Sequence, residues 1–242
     1  KSKANIMVNK MVVSNIEIEI NKKSIKNMHL SVLPPHGKVR VSAPIDVKDE
    51  VIKVFVITKI GWIKKQIEKF ENQLRQTERE YVSGESHYVW GRRYRMEIRH
   101  NHANNVEIKG NKLILTVREA STTQQRENVL TEWYREQLKE KLPGFVERWE
   151  EIIGVKVESV RVKNMLTRWG SCNTKDKRVW INLQLAKKPI ECLEYVVVHE
   201  LVHLLEKNHN SVFIEYMDKF LPDWRVTKDE LNSFIMDRYL EE

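Results

Sequence analysis

Apolar and polar residues alternate along Ile16-Glu17-Ile18-Glu19-Ile20, Met28-His29-Leu30-Ser31-Val32 and Val39-Arg40-Val41-Ser42. That period belongs to strands with one buried face, and Pro34-Pro35-His36-Gly37 supplies the turn between the last two. From Val47 to Gln76 the period lengthens to that of a helix, with Gly61 as a point of interruption and a polar end from Asn72 to Glu80. Strand patterning resumes at Tyr88-Val89-Trp90, Tyr94 to Ile98, Val106 to Ile108 and Leu113 to Val117, with turns at Gly91-Arg92-Arg93 and Gly110-Asn111. A long helix is predicted from Thr122 to Ile153, kinked or broken at Pro143-Gly144. Strands are predicted over 155–163 and Val179 to Leu183, then a helix opening at Pro189 and running to about Lys207. Two final helices cover Val212 to Phe220 and Thr227 to Leu240. No internal repeat is visible. These elements predict an α+β protein with a strand-rich N-terminal domain over 1–118, carrying one long helix, and a helix-rich domain over 119–242.

Charge adds a difference between the two ends of the chain. Residues 181–242 carry 7 Lys+Arg against 12 Asp+Glu, which leaves 35 against 22, or about +13, on residues 1–180. A basic N-terminal part can attract nucleic acid, nucleotide phosphates or acidic proteins, and a solvated lysine-rich surface has the same composition. No run approaches the roughly 20 apolar residues that cross a bilayer, and the first residues lack the apolar stretch of a secretory signal. A cytoplasmic protein with no membrane partner is therefore expected. Its two cysteines, Cys172 and Cys192, are too few for a disulfide scaffold.

Candidate chemistry concentrates in His199-Glu200-Leu201-Val202-His203. On a helix, His199 and His203 project from one face, close enough to share a metal ion, and Glu200 lies about 100° round from His199. Zinc suits such a set, because a catalytic zinc keeps three protein ligands and a water whose pKa it lowers. The apolar flanks Val196 to Val198 and Leu204-Leu205 predict a buried helix, in which histidines and a glutamate would be costly unless ligated. His209 is the preferred third ligand and Glu215 the alternative. Glu206 stands where long histidine motifs carry glycine, so the chain reversal needs another device, such as left-handed backbone at Asn208.

A second cluster is Arg168-Trp169-Gly170-Ser171-Cys172. Arg168 can hold a substrate carboxylate or phosphate or stabilise an oxyanion, or it can pair with a surface acid. Gly170-Ser171 can bring backbone close to the metal or simply turn the chain, Trp169 can plug the core, and Cys172 can be a thiol near the metal or a packed one.

Taken with Ile181-Asn182, Leu185, Pro189, Tyr195 to His203, Asn208-His209 and Phe213, this cluster resembles the YgjP-like metallopeptidase family, which is related to SprT-like zinc peptidases. The resemblance extends to Trp62-Ile63, Gly91 to Tyr94 and Trp133 to Arg135. It implies a zincin-like metallohydrolase domain, zinc on His199, His203 and His209, and Glu200 as general base. Arg168, Trp169, Gly170, Ser171, Cys172 and Asn182 would line or support the site. The leading expectation is a zinc peptidase in which Glu200 activates a zinc-bound water and the strand around Val179 to Leu183 holds an extended peptide by strand addition. An alternative, which some members of the family imply, is hydrolysis of nucleoside triphosphates, UTP in particular, with magnesium and with Arg168 on the phosphates. A third is a nucleic-acid-binding module, using the basic N-terminal part, with a structural zinc.

Overall fold

A computed structural model describes residues 8–33, 37–72 and 79–233. The chain forms two compact units, one within residues 1–77 and one within 78–237.

The first unit is built from strands β1 (Val8–Val13), β2 (Ile16–Lys23), β3 (His29–Leu33) and β4 (Lys38–Pro44) in the order β1-β2-β4-β3. Two antiparallel hairpins are joined through the parallel pair β2 and β4. Ser14 and Asn15 both take positive φ between Val13 and Ile16, as a two-residue hairpin turn that follows strand twist requires. Ile18, Ile20, Val39 and Val41 bury one face of the sheet with Ile52, Val56 and Ile63 of helices α1 (Asp49–Ile57) and α2 (Ile60–Asn72). The helical stretch breaks at Thr58-Lys59, where the Thr58 hydroxyl donates to the Phe55 carbonyl at 2.7 Å, and Gly61 sits inside the first turn of α2. Three features expected from sequence lie outside the described residues: the turn residues 34–36, the polar stretch over 73–78, and residues 234–240 of the last helix.

The second unit begins with β5 (Ser86–Val89), β6 (Arg92–His100), β7 (Asn105–Lys109) and β8 (Lys112–Val117), ordered β5-β6-β8-β7. Its pairing repeats that of the first sheet, two antiparallel hairpins joined by a parallel pair. The repeat is one of topology, so no sequence periodicity announces it. Helix α3 (Thr123–Ile153) follows, its start fixed by a capping box between Thr122 and Gln125 and its end by left-handed Gly154. It runs unbroken through Pro143, because Leu138 and Leu142 before it and Trp149 and Ile153 after it are buried together. That shared burial outweighs the one hydrogen bond that proline forfeits.

The rest of the unit comprises strands β9 (Ser159–Lys163), β10 (Gly170–Asn173) and β11 (Arg178–Asn182), a 3-10 turn (Leu183–Lys187), and helices α4 (Ile190–Val202), α5 (Ser211–Phe220) and α6 (Trp224–Ser233). Of the stretch 155–163 only Ser159–Lys163 is strand, and the Val157 N–H is taken by the Glu150 carboxylate at 2.7 Å. Leu113 and Leu115 of β8, Leu130 and Tyr134 of α3, and Val197 and Leu201 of α4 belong to one core. The boundary expected at residue 118 therefore falls inside this unit, since cutting there would split a continuous apolar interior.

The β5–β6 turn is docked on the entry to α4. Trp90 and Gly91 both take positive φ, and their N–H groups donate to the carbonyls of Ala186 at 2.9 Å and Lys187 at 3.3 Å. A Cβ at Gly91 would stand 2.9 Å from Pro189 Cγ. Gly91→Ala therefore combines left-handed strain with a collision and is expected to cost about 2–4 kcal/mol of stability. Denaturant unfolding measures it, and an unchanged midpoint would show that this turn does not clamp α4.

Candidate active site

Helix α4 is buried along nearly all its length, including Tyr195 to Val198, Leu201 and Val202, while His199 and His203 lie half-buried on one face. It stops at Val202 rather than near Lys207, and His203 is its C-terminal cap. The stop is local. The N–H groups of Leu204, Leu205 and Glu206 turn back onto Leu201 and Val202, and the Glu206 side chain accepts from the Asn208 N–H at 2.9 Å. This reversal needs no left-handed residue, and Asn208 is not one. The Asn210 side chain then accepts from the Phe213 N–H at 3.0 Å and starts α5.

The reversal returns His209 to the helix face. Ligand atoms of His199, His203 and His209 lie within 4.8 Å of one another, and they form the one such group of three among the described residues, without Glu215. His209 Nε2 and His199 Nε2 are 3.0 Å apart. His203 Nδ1 lies 3.1 Å from the Glu206 carbonyl, which can only accept, so Nδ1 carries the proton and Nε2 presents its lone pair. The Phe213 ring packs against all three imidazoles at centroid distances of 4.7 to 4.9 Å. Burial pushes the His199 imidazole down to about 3, helped by the other two histidines, and lowers His203 as well. Neutral imidazoles gathered this closely fit a divalent cation, since a charged atom between them relieves the crowding of lone pairs.

Glu200 is 5% exposed. Burial pushes its carboxyl up to about 8, opposed by the positive charge of Arg168. Gly170, the first residue of β10, lies directly against it. A Cβ there would stand 2.5 Å from Glu200 Oε1, 2.8 Å from its Cγ and 2.8 Å from Val196 Cγ1.

The remaining residues of the upstream cluster separate by role. Asn182 is fully buried, and its amide donates to the carbonyls of Met165 at 2.9 Å and Arg168 at 2.7 Å while its oxygen accepts from Gln184 N–H at 3.1 Å. It fixes the approach to β10. Trp169 is half-buried against the core, and its carbonyl accepts from the Asn182 N–H at 2.9 Å. Ser171 is half-buried opposite Trp180. Burial, followed by the Glu200 charge, pushes the Cys172 thiol up to about 11, so it stays protonated and stands outside the histidine group. Arg168 is exposed.

Two features escape sequence reading. Tyr195 packs edge-on against His199 at 5.8 Å and stacks on Trp224 at 6.3 Å, which braces the first histidine from α6. The three-stranded sheet is ordered β10-β11-β9, with β10 antiparallel and β9 parallel to β11. The strand expected to border the cleft, Val179 to Leu183, is thus central and has both edges filled, and β10 is the edge strand beside Glu200.

Among solved structures, the crystal structure of the metallopeptidase zymogen of Pyrococcus abyssi abylysin shares 20% identity with this chain, covering 37% of it and 90% of that protein, with a TM-score of 0.35. No curated protein sequence matches the chain. The sequence model of the YgjP-like metallopeptidase domain matches residues 26–234, a span that takes in the α4 helix, its returning histidine and the β10 strand. By the extent of that match, the chain belongs to the YgjP-like metallopeptidase family.

Proposed function

We propose that the protein is a zinc-dependent peptidase with Glu200 as its general base and His199, His203 and His209 as its metal ligands. One observation carries this reading: three imidazole nitrogens converge within 4.8 Å, one helical position from a buried carboxylate. A zinc ion held there supplies Lewis acidity, which makes a water easier to deprotonate and a carbonyl easier to attack. Glu200 takes the proton of the attacking water and passes it to the leaving amine as the peptide bond breaks. The Glu206 carbonyl keeps His203 in the tautomer that offers Nε2. Gly170 leaves the room that the Glu200 carboxyl needs. The edge of β10 pairs with an extended substrate backbone, and Arg168, exposed near Glu200, meets a negatively charged group of the bound chain.

The test uses the purified chain with unfolded casein and, separately, with each nucleoside triphosphate. Casein is expected to be cut, the cutting to stop with a chelator and to return with zinc, and the nucleotides to survive. Intact casein alongside chelator-sensitive release of pyrophosphate would overturn the peptidase reading.

A further inference from the structure

The peptidase reading uses one edge of the three-stranded sheet, β10, and gives no task to the opposite edge. That edge is β9, which pairs in parallel with β11 on one side and with no described strand on the other. Side chains close its two ends. The buried Glu150 carboxylate accepts from the Val157 N–H at 2.7 Å, and Arg135 Nη1 donates to the Val162 carbonyl at 3.0 Å. Between these closures, Ser159, Val160 and Arg161 present the free edge of a strand. Proteins commonly cover such an edge with a helix or loop. Helix α3 stands beside β9 without covering it, and a cleft of about 560 Å³ separates the two.

The cleft follows the strand's edge. Residues 159–162 all line it, and successive strand residues point to opposite faces, so it cannot lie over one face alone. Its helical wall is formed by Leu142, Pro143 and Val146. Pro143, which costs α3 a backbone hydrogen bond, thus stands in the wall of a cleft. Trp180 of β11 adds an indole, with Arg161 Cζ 5.9 Å from its ring.

The chemistry of this lining selects its occupant. Lys139, Lys156 and Arg161 are balanced by Glu147, Glu150 and Glu158, so the cleft has no net charge with which to draw nucleic acid or an anionic surface. A small ligand is oriented by buried polar side chains that converge on it. The one buried polar side chain in the lining, Glu150, is already taken up by the Val157 N–H and by Lys156 Nζ. What is left to pair is main chain, set between aliphatic side chains. An extended polypeptide supplies both partners: its N–H and C=O groups continue the sheet, and its alternate side chains enter the cleft. We propose that the cleft between β9 and α3 binds an extended, uncharged aliphatic segment of polypeptide by strand addition to β9. Only β11 separates β9 from β10, a distance of about 10 Å across the sheet, so the segment is held near the peptidase site without entering it. The binding does not depend on which bond the second unit breaks.

The experiment uses the full-length chain carrying Glu200→Gln, so that no probe is cut. The probe is a fluorescein-labelled peptide of about eight residues with valine and serine in alternation. Fluorescence anisotropy is expected to show saturable binding, and hydrogen–deuterium exchange to slow at residues 159–161 while 170–173 stay unchanged. The same peptide N-methylated at every residue keeps its side chains, loses its donors and should bind at least about tenfold more weakly. Val146→Glu, which places a charge in the helical wall, should weaken binding by about the same factor. Pro143→Glu, at an exposed position of that wall, provides a second variant should Val146→Glu fail to fold. Absence of binding, equal binding of the N-methylated peptide, indifference to both variants, or protection confined to 170–173 would overturn the proposal. So would a chain that sediments as a dimer with 159–161 already protected, since a second copy would then fill the cleft.

Discussion

Glu200→Gln is expected to lower kcat on unfolded casein about a thousandfold while the protein still takes up one metal ion per chain. The amide has the size of the carboxyl but cannot accept a proton, so the step that removes a proton from the attacking water loses its acceptor. The proposed ligands His199, His203 and His209, whose nitrogens converge, are left in place by the substitution. Stability should hold or rise, because Glu200 is 5% exposed and a neutral amide is cheaper to bury than a carboxylate. Initial rates, metal content and thermal unfolding of the two proteins make the comparison. A variant that turns over casein at the wild-type rate would remove Glu200 from the chemistry.

Gly170→Ala is expected to reduce kcat about a hundredfold with little change in metal content, the scale on which misplacement of a catalytic group by about 1 Å is felt. The added methyl would stand 2.5 Å from Glu200 Oε1 and 2.8 Å from both Glu200 Cγ and Val196 Cγ1. Val196 is buried on α4 and cannot retreat, so the carboxyl must rotate away. The histidines are not in this contact. Combining the two substitutions distinguishes displacement of Glu200 from general damage. If Gly170 acts only by seating the carboxyl, Gly170→Ala should cost almost nothing further in the Glu200→Gln background. A full hundredfold loss there as well would mean that β10 itself had been distorted.

Several parts of this site were legible in the chain because their physics is local. The spacing of His199 and His203 places both on one helical face whatever surrounds them. Alternation placed the strands β2, β3, β4, β6 and β8, and the helical period of the apolar residues put the start of α3 at Thr122, one residue before its first helical residue. Propensity alone misleads where burial competes with it. Pro143 is a helix breaker by its own chemistry, and the shared burial of Leu138, Leu142, Trp149 and Ile153 overrode it. Gly61 invited a break that the Thr58 side chain made instead, three residues earlier. Val51, Val54 and Ile57 have the composition of core residues, and only the placement of the sheet leaves them facing solvent.

The sequence by itself determined that one helix carries two histidines on a single face, that His209 follows it at a usable distance, and that the basic excess lies in the chain before it. Tertiary structure decided the rest. The loop through Glu206 and Asn208 returns His209 to within 3.0 Å of His199, strand order makes β10 and not β11 the edge beside Glu200, and Gly170 closes against that carboxyl. The unit boundary moves from 118 to 77 for the same cause. Helical spacing acts between residues a few positions apart, whereas edges, cores and contacts depend on which distant segments pack together, and no local pattern records that.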